Sequence, residues 1–121
     1  MNFQNIDWAD SEIAKIEIEY NCAKLFVYND TLQKNVIVNF AGFIGLTNLC
    51  MWDDQIIDYA EVRELKDDDS AEFTKMLFSA YNKYTDYGER CLGDGIFEVR
   101  IRLINQITFS IYCQSIEVED N

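Results

Sequence analysis

The alternation of apolar and polar residues is the feature that most constrains how this chain can fold. Between residues 14 and 20, Ile16 and Ile18 alternate with Lys15 and Glu17. A period of two places successive side chains on opposite faces of a β-strand, so this segment is predicted to be a strand with one buried face. Further strands are predicted over residues 22–29, 35–41, 55–64, 97–103 and 107–113.

The turn after the first strand predicts how the first hairpin pairs. A two-residue loop at Asn21-Cys22 places Ile18 opposite Leu25 and Ile16 opposite Val27. The apolar faces of the two strands then coincide, as burial against one core requires. A bend or bulge is predicted after the third strand, at residues 42–45.

Burial also selects the loop of the C-terminal hairpin. A two-residue loop would turn the apolar faces of its strands apart, because a shift of one residue moves every side chain to the other face. A three-residue loop over residues 104–106 pairs Leu103 with Ile107 and Ile101 with Phe109. We therefore predict the three-residue loop.

A helix is predicted between the fourth and fifth strands. Asp69 as N-cap and Glu72 three residues later form a capping box, and Gly88 ends the pattern. An amphipathic stripe lies between them, at Phe73, Met76, Leu77, Ala80, Tyr81 and Tyr84. We therefore expect a single domain over residues 1–121 with an α+β fold: about six strands in an antiparallel sheet or flattened barrel, with one helix inserted before strand five.

Three further side chains have expected structural roles. Arg100 and Arg102 lie on the polar face of the fifth strand, so they are expected to pair with acids on neighbouring strands. Trp8 precedes the first strand and is expected to close one end of the core, given the large area that a tryptophan buries.

The charge of the chain argues against several classes of partner and mechanism. Its 121 residues include 22 Asp and Glu, 10 Lys and Arg and no His, for a formal net charge of −12. Because a polyanion is bound by clustered Lys and Arg, neither nucleic acid nor an anionic membrane is an expected direct partner. Without His, the Ser-His-Asp and Cys-His mechanisms and His-ligated metal sites are absent. We expect a binding protein that is not an enzyme, with no catalytic residues, cofactor or metal.

The expected compartment is the cytoplasm. Residues 1–8 lack the basic and apolar regions of a signal peptide, and no apolar run reaches the length of about 18 residues that spans a membrane. The cysteines are far apart and form no C-x-x-C pair, which favours free thiols in a reducing compartment over a zinc site. They are Cys22, Cys50, Cys91 and Cys113.

Acidic residues are densest between positions 53 and 72, where only Arg63 and Lys66 offset them. This acidic window suits a solvated strand edge and a helix N-terminus, or a recognition surface for a basic partner. Trp52 beside two acids has the character of an aromatic anchor in an interface. The expected partner-binding residues are Trp52, Asp53, Asp54, Asp58, Glu61, Glu64, Asp67, Asp68, Tyr84 and Tyr87.

Short segments of the chain resemble a group of small bacterial proteins. Residues 8–13, Trp-Ala-Asp-Ser-Glu-Ile, resemble the Trp-His-Asp-Ser-like opening of the group, with Ala9 where the histidine commonly stands. Any role of that histidine therefore does not carry over. Residues 40–46 and 52–57 resemble the middle section of these proteins, so the resemblance spans about half of the chain. Several similar small acidic proteins are immunity proteins of contact-dependent inhibition and other polymorphic toxin systems, which block the toxin domain made by the neighbouring gene.

The resemblance and the charge lead to one expected function and two alternatives. We expect an immunity protein that neutralises a basic toxin domain by stoichiometric occlusion through its acidic surface. The expected toxin is a nuclease, and the immunity protein is expected to be a monomer or a weak homodimer. The first alternative is a small-molecule-binding or enzymatic domain with a pocket between helix and sheet, lined by Tyr81, Tyr84 and Phe97. The second is a structural homo-oligomer joined through an exposed strand edge.

Overall fold

The computed structural model describes residues 1–48, 55–65 and 95–120. Of these residues, 65% lie in strands and 4% in a short 3-10 helix, Phe3–Asn5. The strands, in chain order, are β1 (Glu12–Glu19), β2 (Cys22–Asn29), β3 (Lys34–Ala41), β4 (Gly45–Thr47), β5 (Ile57–Glu64), β6 (Phe97–Leu103), β7 (Thr108–Cys113) and β8 (Ser115–Asp120).

The strands form two antiparallel sheets of four strands each. Sheet A has the order β1-β2-β3-β8, and sheet B has the order β4-β7-β6-β5. The predicted α+β class with one sheet is therefore wrong, because the described chain is an all-β structure of two layers. The segment of the predicted helix, residues 69–88, lies outside the described residues.

Two bends divide what the pattern predicted as one sheet. The chain passes from β3 to β4 through Gly42, and from β7 to β8 through Gln114. The bends stay paired, because the Gln114 amide donates to the Ala41 carbonyl at 3.0 Å and the Ile44 amide donates to the Tyr112 carbonyl at 2.8 Å. Since β3 pairs with β8 and β4 pairs with β7, these bent strands join the two sheets along one side.

The segment before β1 joins the sheets on the other side. The Asp10 amide donates to the Ile57 carbonyl at 2.8 Å, and the Ile57 amide donates to the Ser11 carbonyl at 2.8 Å. The Ile13 amide donates to the Gln55 carbonyl at 2.9 Å. The Asp-Ser pair of the opening motif thus links the edge strands β1 and β5 through its backbone.

Trp8 closes one end of the core, as expected. Its side chain is buried, and its ring lies 4.7 Å from the ring of Phe3 in a stacked arrangement. The indole Nε1 donates to the Phe3 carbonyl at 3.0 Å, so the polar atom of this buried side chain has a partner.

The core lies between the facing sides of the two sheets. Sheet A contributes Ile13, Ala23, Leu25, Val27, Val36, Val38, Phe40 and Val118, and sheet B contributes Ile57, Val99, Ile101, Leu103, Phe109, Ile111 and Cys113. Burial raises the pKa of the Cys113 thiol to about 12, so this thiol stays protonated at neutral pH. Cys113 and the half-buried Cys22 are free, whereas residues 50 and 91 lie outside the described part.

The C-terminal hairpin has the predicted register. Ile101 lies opposite Phe109, and the Leu103 amide donates to the Ile107 carbonyl at 2.8 Å across the three-residue loop. Gln106 accommodates this loop with a φ of 75°. The burial argument therefore identified the correct pairing.

The first hairpin has a different register from the predicted one. Ile18 lies opposite Ala23 and Ile16 lies opposite Leu25, because the turn is Tyr20-Asn21 and not Asn21-Cys22. The difference is two residues along β2, which leaves each side chain on the same face. The face assignment survives although the pairing was wrong.

No helix within the described ranges is long and apolar enough to cross a membrane.

Replacement of Gly42 by alanine tests the bend between β3 and β4. Gly42 has a φ of 61°, and an added Cβ would lie 2.7 Å from the Cβ of Gln114. We expect Gly42→Ala to lower the free energy of unfolding by about 1–3 kcal/mol, through backbone strain and steric overlap. Urea denaturation measures this change.

Gly45→Ala is the matched control. Among the described residues, apart from Gly45 and its two chain neighbours, no heavy atom lies within 4 Å of a Cβ added at Gly45. We expect its free energy of unfolding to stay within about 0.5 kcal/mol of the parent protein. Equal stability of the two variants would contradict the role assigned to the Gly42 bend.

Candidate functional site

The outer face of sheet B is polar across three neighbouring strands. The registers of β5, β6 and β7 place side chains that point away from the core in rows. One row is Glu61, Arg100 and Ser110, and the next is Arg63, Glu98 and Tyr112. Of these, Glu98, Ser110 and Tyr112 are buried.

Glu98 is the centre of this polar network. It is only 4% exposed. Its Oε1 accepts hydrogen bonds from Arg63 Nε at 2.6 Å and from Arg100 Nη2 at 3.4 Å. Its Oε2 accepts from Ser110 Oγ at 2.9 Å and from Tyr112 Oη at 3.1 Å. Each oxygen of the carboxylate therefore has two donors.

These contacts fix the protonation states of the network. Burial raises the pKa of Glu98, but the hydrogen bonds from Arg63 and Ser110, with the charges of Arg100 and Arg63, outweigh it and hold the pKa below its ordinary value. Burial and the charge of Glu98 raise the pKa of Tyr112. At neutral pH the carboxylate is ionised and the phenol is a hydrogen-bond donor.

The chemistry of the network is structural. A carboxylate has about four acceptor positions, and here four donors from the protein itself fill them. Glu98 thus ties β5, β6 and β7 together and leaves no acceptor for a substrate proton. Among the residues that the structure describes, no group of three or more His, Cys, Asp and Glu is arranged to hold a metal ion.

The described members of the acidic window lie on β5, and two of them have arginine partners. Asp58 Oδ2 lies 3.7 Å from Arg102 Nε, and Glu61 Oε1 lies 3.4 Å from Arg100 Nη1. The expected pairing of both arginines with acids on a neighbouring strand is confirmed. Glu64 is exposed at the end of β5. The arginines therefore offset the paired acids of the window.

The other expected partner-binding residues lie outside the described ranges. They are Trp52, Asp53, Asp54, Asp67, Asp68, Tyr84 and Tyr87.

The outer face of sheet A has an exposed apolar centre. Phe26 on β2 lies opposite Ile37 on β3, and both side chains are half-buried on the side away from the core. Tyr28, two residues along from Phe26, is 38% exposed. The ammonium of Lys15 on β1 lies 4.4 Å from the centroid of the Phe26 ring, which is cation–π geometry.

Carboxylates border this apolar centre on both edge strands. They are Glu12, Glu17 and Glu19 on β1, and Glu117 and Glu119 on β8, all of them exposed. Glu17 pairs with Lys15 at 2.9 Å, and the remaining glutamates have no ion pair within the described part of the chain. We call this surface, with Phe26, Tyr28 and Ile37 at its centre, the acid-bordered face.

No protein-family model and no curated protein matches this chain. The binding properties of the two outer faces are therefore inferred from their charges, exposure and hydrogen bonds.

None of the residues of the acid-bordered face is among the expected partner-binding residues, and sequence reasoning also missed β8, which forms one of its borders. The signal for β8 was present: between residues 115 and 120, Ile116 and Val118 alternate with Glu117 and Glu119. This alternation is short and directly follows a predicted strand.

One cavity of about 340 Å³ lies between the sheets near the N-terminus. It is lined by Asn2, Phe3, Gln4, Val62, Phe97, Ser115 and Ile116. Phe97 is the described member of the pocket that the small-molecule alternative predicted, and residues 81 and 84 lie outside the described part. None of the described residues in this lining has a charged side chain.

Glu98→Gln tests the network through the pH dependence of stability. At pH 7 we expect the variant to lose about 1.5–3 kcal/mol of unfolding free energy, because an ionised acceptor is replaced by a neutral amide. A depressed pKa stabilises the folded state above the ordinary value of 4.5, and that contribution is lost as the pH falls below it. The difference between parent and variant should therefore shrink in acid, as measured by denaturation at several pH values.

Glu117→Gln provides the control, since Glu117 is exposed and has no ion pair in the described part of the chain. Its unfolding free energy should stay within about 0.5 kcal/mol of the parent at each pH. A gap between parent and Glu98→Gln that is constant from pH 7 into acid would show that Glu98 is not a stabilising carboxylate.

Proposed function

We propose that this chain is an immunity protein that binds a cognate basic toxin domain and neutralises it by stoichiometric occlusion. The observation that carries the proposal is the acid-bordered face. Its exposed carboxylates, of which only Glu17 has an ion pair among the described residues, flank a partly exposed aromatic and aliphatic centre. Protein interfaces commonly have an apolar centre that supplies affinity and a polar rim that selects the partner.

The charge distribution favours a basic partner. Carboxylates outnumber Lys15 and Lys24 on the acid-bordered face, whereas on sheet B Arg63, Arg100 and Arg102 offset the acids beside them. A surface of one sign speeds encounter with a partner of the opposite sign and disfavours others. A toxin that cuts nucleic acid has a basic cleft, and carboxylates can occupy it in place of phosphates.

The proposed mechanism needs no reaction. The sequence contains no histidine, and the buried carboxylate of Glu98 is held by donors of the same chain. Binding alone covers the toxin, so one immunity protein is consumed for each toxin molecule. Action in the cytoplasm is part of the proposal, because the toxin's target lies there and a reducing compartment keeps thiols such as Cys22 free.

The proposal predicts that a gene adjacent to the one for this chain encodes a toxin domain, and that domain provides the test. Co-expression should relieve the growth defect that the domain causes, and the purified proteins should form a complex of equal stoichiometry. The association rate should fall about tenfold or more between low and high salt, because opposite charges steer the encounter. Stopped-flow mixing at several ionic strengths measures it.

Two results would contradict this proposal. One is a neighbouring domain that stays toxic when this chain is present in excess. The other is a complex whose association rate does not respond to salt, since the acidic surface would then have no part in recognition.

A second candidate function is the binding of a small neutral ligand in the cavity near Phe97. Its volume of about 340 Å³ lies at the lower end of the range of about 300–1,000 Å³ found for ligand pockets. A ligand that raises the melting temperature in a saturable way, and no longer does so in Val62→Phe, would favour this function. A screen of neutral aromatic compounds without such a shift would count against it.

A further inference from the structure

The two lines of carboxylates on the acid-bordered face are far enough apart for an α-helix to lie between them. Its two lines of carboxylates lie on β1 and β8, which are separated by β2 and β3. Three inter-strand spacings of about 4.8 Å put these lines about 14 Å apart. An α-helix with its side chains is about 10–12 Å across, so it fits between the lines, whereas a single extended strand reaches only one of them.

The length of the face also suits a helix. The strands β1, β2 and β3 each have 8 residues, which corresponds to about 27 Å at about 3.4 Å per residue. A helix of about 18 residues has the same length.

The face already holds one ammonium group. Lys15 Nζ lies 4.4 Å from the centroid of the Phe26 ring and 2.9 Å from Glu17 Oε1. An aromatic ring beside a carboxylate is thus shown to accommodate a cation on this surface. On the β8 side, Ile37 lies opposite Glu119. A lysine or arginine of a partner that packs its stem on Ile37 reaches this carboxylate, which has no ion pair within the described residues.

We propose that the acid-bordered face binds a basic amphipathic helix of the partner. The apolar stripe of the helix lies on Phe26, Ile37 and Tyr28, and its flanking lysines or arginines reach Glu17 and Glu19 on one side and Glu117 and Glu119 on the other. This inference rests on the proposed function for the identity of the partner, and adds the element of the partner that is recognised.

A second copy of this chain does not fit the same surface. Two acid-bordered faces in contact would bring the carboxylates of β1 and β8 against carboxylates, and like charges across an interface repel. Lys15 and Lys24 are too few to compensate them. The occupant must therefore carry positive charge.

Synthetic peptides test the inference without the natural partner. The probe is a helical Leu/Lys peptide of about 18 residues, with leucine at positions i, i+3, i+4 and i+7. A scrambled peptide of the same composition has the same charge and no apolar stripe. We expect the patterned peptide to bind at least about tenfold more tightly than the scrambled one in titration calorimetry, because only its stripe covers the apolar centre.

Charge reversal on β8 locates the binding surface. Glu117→Lys and Glu119→Lys together should weaken the patterned peptide about tenfold, since each exposed ion pair is replaced by a repulsion. Asp30→Lys is the control for each single variant, Glu117→Lys or Glu119→Lys. It changes the net charge by the same amount, and it lies in the turn between β2 and β3, outside the face. Its affinity should stay within about twofold of the parent.

Ile37→Thr tests the contribution of the apolar centre to peptide binding. Ile37→Thr keeps a β-branched side chain in β3 and removes apolar surface. It should weaken the patterned peptide and leave the weak binding of the scrambled peptide unchanged. A thermal melt of each variant confirms that it is folded.

Three outcomes would overturn the inference. Equal binding of both peptides would mean that charge alone attracts them. If Asp30→Lys weakens peptide binding as much as a single β8 reversal does, the face is not the binding site. A dimer in sedimentation experiments that Ile37→Thr dissociates would identify a second copy as the occupant.

The same variants with the neighbouring toxin domain separate this inference from the proposed function. If the parent protein neutralises the domain and the β8 reversals do so with equal affinity, the inference fails and the function stands. If the domain is not bound at all while the patterned peptide is, the proposed function fails and the specificity of the face stands.

Discussion

Each strand must bury one face in the core, and this requirement determines which side chains remain on the surface for binding. Because the side-chain period of a strand is two, every residue that fills the core leaves its neighbours on an outer face. Sheets A and B thus each expose one face, built from the residues between the core positions. The two faces differ in how their charges are used, and this difference follows from which residues lie opposite one another.

On sheet B, the register brings opposite charges together. Glu61 lies opposite Arg100, and Arg63 lies opposite Glu98. Glu98 is buried with its donors in place, so removing one donor would leave part of a buried carboxylate without a hydrogen-bond partner. These groups stabilise the sheet and contribute little field beyond it. On sheet A, the glutamates of β1 and β8 lie at opposite edges, and among the described residues only Glu17 has a cationic partner, Lys15.

The fold was predictable from the sequence where burial distinguishes two registers. For the C-terminal hairpin, a shift of one residue exposes Ile101 and Leu103, so only one loop length is consistent with a core. For the first hairpin, the two registers differ by two residues and bury the same face, and the pattern cannot separate them. The division into two sheets depends on the bends at Gly42 and Gln114. A bend was predicted at residues 42–45, but the alternation of the strands gives no sign that they change partners there or that a second bend lies at Gln114.

The candidate site was also only partly predictable, because the sequence shows which charges are close along the chain and not which charges pair across strands. Counting acids along the chain found the window, but ion pairing acts across strands, and Arg100 and Arg102 reach Glu61 and Asp58 from β6. The correct pairing of β6 with β7 already placed Glu98 opposite Tyr112, so that contact could have been deduced from the sequence. The pairing of β8 with β3 is not local, and no turn signals it.

Internal pairing on one sheet has a consequence for the other. Paired charges of opposite sign have fields that largely cancel beyond about one Debye length, roughly 8–10 Å at physiological salt. Among the described residues, Glu12, Glu19, Glu117 and Glu119 of the acid-bordered face have no ion pair, so their charges are not cancelled in this way. The basic partner proposed above would be attracted to these glutamates before contact. In that proposal the arginines of sheet B would assist recognition on sheet A, because they offset acids that would otherwise attract the same partner.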